Sequence, residues 1–303
     1  MNMRPGSELL KGAVDCHVHA CPHINGRSLD VFEAVREAAT AGMRGIGLMD
    51  NFCNSSGIAA LARRQLGDLD VDVWGGLIME PPAGGVSAEA ARIALAYGYG
   101  EGTGARFVSL PTHHTRHIAQ IERRSPVYQE ACLAIPETGP LPDPLPEILD
   151  LVAEADVVFN TGHVSGPEAL RAVEAALSRG VKRILVPAAH FDRDLVAEVA
   201  RLGAFAEFSF FFASHATQAG LTHVDAERHT VPPVSAPEMI NLIRAAGPER
   251  SVLSGDCGVF LLPPPAEGFR EFMLLLETCG LDRGAIRRMS AENPAWLFKV
   301  AHA

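Results

Sequence analysis

Residues 13–50 read AVDCHVHACPHINGRSLDVFEAVREAATAGMRGIGLMD, and this stretch decides the fold class. Residues 13–19 form a short run with alternating apolar positions, and 44–50 (RGIGLMD) form a second. Between them, 28–42 (SLDVFEAVREAATAG) space their apolar residues at the helical period, with Ser28 expected as N-cap and Gly42 as C-terminal stop. Strand, amphipathic helix, strand is the repeating unit of a parallel sheet. The rhythm continues with strands at 71–80, 105–111, 156–163, 182–190, 204–211 and 250–256. Helices are expected near 57–66 and at 87–98, 143–155, 166–180, 193–202, 235–246 and 266–279. Eight β/α units without a composition break read as a single-domain (β/α)8 TIM barrel spanning 1–303, an α/β fold. Two longer connections, 112–142 and 212–234, interrupt the rhythm and are expected to be active-site loops.

Composition narrows the function classes. The net charge of −10 argues against non-specific phosphate binding, so no nucleic acid is expected, and it gives no reason to expect an anionic membrane. The opening MNMRPGSELLKG lacks an apolar core, and no apolar run reaches the ~18 residues of a membrane span. Six cysteines show neither CxxC pairing nor a disulfide framework, which fits reduced thiols in a cytoplasmic protein. The expected partner is a small-molecule substrate.

In a barrel of this kind, catalytic residues sit at the C-terminal ends of strands. The twelve histidines follow that rule. His17 and His19 end the first strand and His23 follows it. His113, His114 and His117 follow the fourth, His163 ends the fifth, and His190 ends the sixth. His215, His223 and His229 follow the seventh, and His302 lies in the tail. Asp50, Glu80 and Asp256 end the second, third and eighth strands. His17, His19, His163, His190 and Asp256 are thus placed to meet over one barrel mouth. Imidazole and carboxylate are the ligands that Zn2+ or another divalent metal prefers. Such an ion lowers the pKa of a bound water from 15.7 towards ~7, and an adjacent carboxylate can take the proton.

The constellation HxH…H…H…D on successive strands resembles the amidohydrolase superfamily of metal-dependent hydrolases, from Val14 to about Val300. The segments ATAGMRGIGLMDN, NTGHVSGPEAL and ENPAWLF look closest to an uncharacterised, DUF-type branch. The resemblance implies that His17 and His19 bind a metal together with Asp256. It implies that His163 and His190 complete that site, bind a second metal, or, for one of them, polarise the substrate. Asp256 would also accept the proton of the attacking water. By the same analogy the protein is expected to be a homo-oligomer.

The sequence departs from the family in one respect. Many binuclear members bridge two metals with a carboxylated lysine on the fourth strand, and the only lysines here are Lys11, Lys182 and Lys299. The site is therefore mononuclear, or binuclear with another bridge. Glu80 is the first substitute, with Glu207, His113 and His114 weaker ones.

Arg27 and a cluster at Arg116, Arg123 and Arg124 either decorate a solvated face or grip a substrate carboxylate or phosphate. His23, His114, His117, His223 and His229 are expected as solvated loop residues, and Cys16, Cys21 and Cys257 as packing. In FSFFF (208–212), strand alternation would put Phe210 and Phe212 on one face and Phe211 on the other.

The expected activity is metal-dependent hydrolysis of an amide, lactone or ester-like bond, with one tightly bound ion and room for a second. A metal-dependent decarboxylase or lyase on the same scaffold and a non-catalytic metal-binding barrel are the alternatives.

Overall fold

The structure, a computed structural model, describes residues 4–219, 221–222 and 228–301. The expected strands are all present. They are β1 (Val14–Val18), β2 (Gly45–Leu48), β3 (Asp72–Gly75 and Leu77–Ile78), β4 (Phe107–Ser109), β5 (Val158–Asn160), β6 (Arg183–Pro187), β7 (Phe205–Ser209) and β8 (Ser251–Ser254). In β2, Ile46 pairs with Asp15 on one side and Val73 on the other, all parallel. The second part of β3 pairs with β4, and the parallel order continues through β5, β6 and β7 to β8.

The three-stranded and six-stranded sheets meet at both edges. β3 passes from one to the other through Gly76, where an added Cβ would lie 2.4 Å from the Phe107 carbonyl oxygen. At the other edge Val18 bridges to Cys257, the His19 amide donates to the Cys257 carbonyl at 2.8 Å, and the Asp256 amide donates to the His17 carbonyl at 2.8 Å. These contacts close the eight strands into a barrel.

The helices behind the strands are α1 (Val31–Thr40), α2 (Ser56–Gln65), α3 (Ala88–Ala96), α4 (Leu145–Ala155), α5 (Gly166–Ser178), α6 (Arg193–Arg201), α7 (Ala236–Ala246) and α8 (Pro265–Thr278). Asp30, not Ser28, caps α1: it accepts from the Glu33 amide at 2.7 Å, and Glu33 accepts from the Asp30 amide at 2.8 Å. The start is later than the pattern suggested because the chain after β1 first pairs with the connection after β8, through Arg27 and Val259. Gly42, at φ 74°, ends the helix as expected. The same reciprocal capping by Ser165 with Glu168 and Ser235 with Glu238 starts α5 and α7.

Strand residues divide between two buried clusters. Ile46, Val108, Phe159, Val186 and Phe208 pack with helix residues such as Val35, Ile148, Val173 and Phe272. Trp74, Phe107, Leu185 and Val252 pack instead with Leu297 and Phe298 of the C-terminal helix Asn293–Phe298. Trp74 stacks on Phe298 at 5.1 Å, and Arg106, just before β4, donates to the Phe298 carbonyl. The tail therefore seals the N-terminal end of the barrel and leaves the histidine-bearing end open. All six cysteines are free thiols, and among the described residues no helix is long and apolar enough to cross a membrane.

Candidate metal centre

One group of donors converges at the open end. His17 of β1, His19 just beyond it and Asp256 just beyond β8 bring ligand atoms within 4.8 Å of one another. Asp256 Oδ1 lies 3.3 Å from His17 Nε2 and 3.1 Å from His19 Nε2. His17 Nδ1 donates to Glu207 Oε1 at 3.0 Å, so its Nε2 is the atom presented to the centre. Ser254 Oγ donates to the same Glu207 oxygen at 2.7 Å, and Ser209 Oγ donates to Asp256 Oδ2 at 3.3 Å. Asp15 Oδ1 accepts the amides of His17 at 3.1 Å and Gly255 at 2.9 Å. The backbone is shaped to allow this. Asp256 holds a left-handed φ of 50°, and a Cβ on Gly255 would come 2.5 Å from Asp15 Oδ2.

The electrostatics call for a cation. Burial lifts the Asp15 carboxyl to about 7, against the amides of Gly255 and His17, which favour its ionised form. Burial also opposes charge on His17, but the carboxylates of Asp256 and Glu207 outweigh it and raise the ring to about 9. Burial lowers His19. Asp256 stays below the ordinary carboxylate range despite its burial because His17 and His19 face it. Asp15 Oδ2 and Glu207 Oε2 are buried without a hydrogen-bond partner. Donors ~2.0–2.1 Å from a tetrahedral ion stand roughly 3.3 Å apart, close to the spacings of Asp256 Oδ1 from the two ring nitrogens. These residues fit a divalent ion, with Glu207 as the carboxylate behind one histidine.

The other sequence candidates fall into distinct places. His163 lines the same pocket, its ring edge-on to Phe212 at 5.7 Å, and burial lowers it to about 4, so it is neutral at pH 7. His190 also lines the pocket, but its Nε2 donates to the Pro232 carbonyl at 2.7 Å and its ring stands against Phe212 at 4.9 Å. It is turned to the wall and does not join the three converging residues. Glu80 does not join them either. Its Oε1 accepts the amides of Thr112 and His113, both at 2.6 Å, and the Thr112 hydroxyl at 3.1 Å, while Oε2 accepts the His114 amide at 3.2 Å. Glu80 anchors the loop after β4. Lys299 pairs with Asp156 at 2.9 Å and Lys182 immediately precedes β6, so neither reaches the end of β4.

Arg116 heads the short helix Arg116–Ile121 and lines a separate cleft with Glu137 and Glu168, whereas Arg27 lines the pocket of the donor cluster. Arg124 is buried over Tyr128 at 4.0 Å. His117 lines the pocket too. His223, His302 and the side chain of His229 lie outside the described residues. In FSFFF the strand stops at Ser209 and the chain turns into the helical stretch Phe210–Ala213. Alternation therefore lapses: Phe211 and Phe212 both wall the pocket, and Phe210 packs on Phe272.

Asp15 and Glu207 are the residues that sequence reasoning missed or misassigned. Asp15 stands two residues before His17, in the same spacing as the two histidines, and Glu207 is a lone charge in the apolar run AFAEFSFF. We expect Glu207→Gln to weaken metal affinity by about 10–100-fold, as loss of a carboxylate behind a ligating imidazole does. Competition against a chromogenic chelator would measure this, and unchanged affinity would contradict the role.

Residues 12–207 match the model of a family of unknown function, DUF6282. No curated protein matches the chain. Among solved structures, it is similar to an amidohydrolase from Pseudomonas aeruginosa, at 11% identity and TM-score 0.55, covering 98% of this chain and 99% of the other. It is also similar to an organophosphorus hydrolase from Deinococcus radiodurans, at 17% identity and TM-score 0.59, covering 97% and 93%. A mutant of a PTE-like lactonase from the same organism aligns at 17% identity and TM-score 0.58, covering 98% of each chain. At these identities the likeness establishes the barrel fold. The solved structures are of the kind the sequence resembles, and the family match agrees with an uncharacterised branch.

Proposed function

The chain belongs to this family of unknown function, and from that premise we propose that it is a metal-dependent hydrolase acting on an amide, lactone or ester-like bond of a small molecule. The observation that carries the reading is the convergence of His17 Nε2, His19 Nε2 and Asp256 Oδ1 at the open end of the barrel. A divalent ion bound there, zinc or a similar one, would supply a water acidified towards neutral pH and a charge that polarises the bond under attack. A mononuclear centre is favoured, because both Glu80 oxygens are engaged by loop donors.

The chain's own groups divide the remaining work. Asp256 turns Oδ1 to the two histidines, so Oδ2 is the atom that takes a proton and returns it to the leaving group. Ser209 donates to Oδ2 while it is ionised, and its hydroxyl can rotate to accept once Oδ2 is protonated. Glu207 fixes the orientation of His17. His163, neutral and buried, stands where it can meet the substrate, and Phe211 and Phe212 keep bulk water from the wall beside it.

Elemental analysis and turnover test the reading together. We expect about one equivalent of metal in the purified protein, lost in His17→Ala and His19→Ala along with activity on a panel of amides, lactones and phosphoesters. Reaction in H2(18)O should place label in the product, whereas CO2 release without label would mean a decarboxylase. Metal-free protein with undiminished turnover would end the proposal.

A further inference from the structure

The pocket holding the donor cluster has a second polar feature that the chemistry above does not use. Arg27 lines it together with His17, His19, Asp256 and Asn51, and its backbone is fixed by the antiparallel bridge to Val259. Its Nη2 lies 2.8 Å from His23 Nε2, while the Asn25 amide donates to His23 Nδ1 at 3.0 Å. Burial and the neighbouring Arg27 hold His23 down to about 4, so the ring is neutral and has one lone pair to offer. Two donors therefore compete for one acceptor. Arg27 Nε and Nη1 are buried and have no acceptor among the described residues. Two buried guanidinium nitrogens in this state are costly unless a ligand completes them.

The rest of the pocket says what that ligand is. Its walls include Ile78, Val164, Phe212 and Val231, an apolar lining that suits the body of a small organic molecule. Asp50 and Asp256 both act on the guanidinium, and a dianion would meet their repulsion. A single negative charge on a planar group matches the guanidinium fork better.

We propose that Arg27 is the anion subsite of this pocket and holds the carboxylate of a substrate whose remaining body is apolar. The inference rests on the hydrolase reading only for what happens at the other end of that substrate.

The test is calorimetric binding of phenylacetate and hexanoate, and of their neutral amides, to the protein as isolated, with metal content measured on the same samples. We expect the carboxylates to bind about tenfold or more tightly than the amides, and Arg27→Gln to remove that preference at unchanged metal content. Arg27→Lys, which keeps the charge and loses the fork, should retain part of it, and it serves as the readout if Arg27→Gln does not fold. No carboxylate binding up to ~10 mM, no preference over the amides, or a preference that survives in the variants would overturn the subsite. An Arg27-dependent preference in protein that neither holds metal nor turns over would remove the hydrolase reading and leave the subsite standing. Metal-loaded, active protein without Arg27 dependence would do the reverse.

Discussion

Asp256→Asn should lower turnover by about 10²–10⁴-fold while most of the metal stays bound. The asparagine keeps an oxygen in the place of Oδ1, where it still faces the Nε2 atoms of His17 and His19. At the place of Oδ2 it puts an NH2 group, which cannot accept a proton and which meets the Ser209 hydroxyl as a donor. The hydroxyl can reverse and accept, so the side chain remains satisfied and the fold persists. What is lost is the proton acceptor, together with a charge that supports the ion. Turnover and metal content measured on one preparation separate the two losses. Unchanged kcat would remove Asp256 from the proton path, and loss of metal equal to that in His19→Ala would make it a ligand alone.

Gly258→Ala should unfold the barrel or cost it more than about 4 kcal/mol, well beyond an ordinary surface substitution. Gly258 holds φ +116°, a conformation closed to side chains, and its Cβ would stand 1.6 Å from the His19 carbonyl oxygen. That oxygen belongs to fixed backbone: the next residues run to Cys21, whose amide and carbonyl pair with Leu29 and Val31. The Gly258 carbonyl also receives the Ser28 amide at 2.8 Å. Neither partner can retreat without dragging the candidate ligand His19 with it. Thermal unfolding of the variant reads the effect, and a midpoint within a few degrees of the parent would show that the connection after β8 adapts more than its geometry allows.

The barrel was legible because its signal is repetitive. Each strand is a short apolar run and each helix an amphipathic one, and neither depends on a distant partner. The HxH and Asp256 were legible for the same local reason: strand ends are where a barrel places chemistry. What the sequence withheld depends on three-dimensional competition for each side chain. Glu80 ends its strand as a ligand would, yet three successive backbone amides after β4 claim its oxygens. His190 ends its strand likewise, but the Pro232 carbonyl and the Phe212 ring fix it to the wall. Conversely Glu207 read only as a weaker candidate bridge, because the imidazole that explains it lies on the first strand, far away in sequence.

The closure between β1 and β8 joins segments about 240 residues apart, and it runs through the proposed ligands themselves. The amides of His19 and Asp256 are the seam, and the side chains of the same two residues meet at the centre. Bringing such distant ends together carries a large loop-closure entropy. An ion bound there would act as a clasp on a ring, because its affinity for the gathered side chains would also be affinity for the closed circle. Metal occupancy and completion of the barrel would then be one equilibrium, in which the chain without the ion loosens first where β1 meets β8.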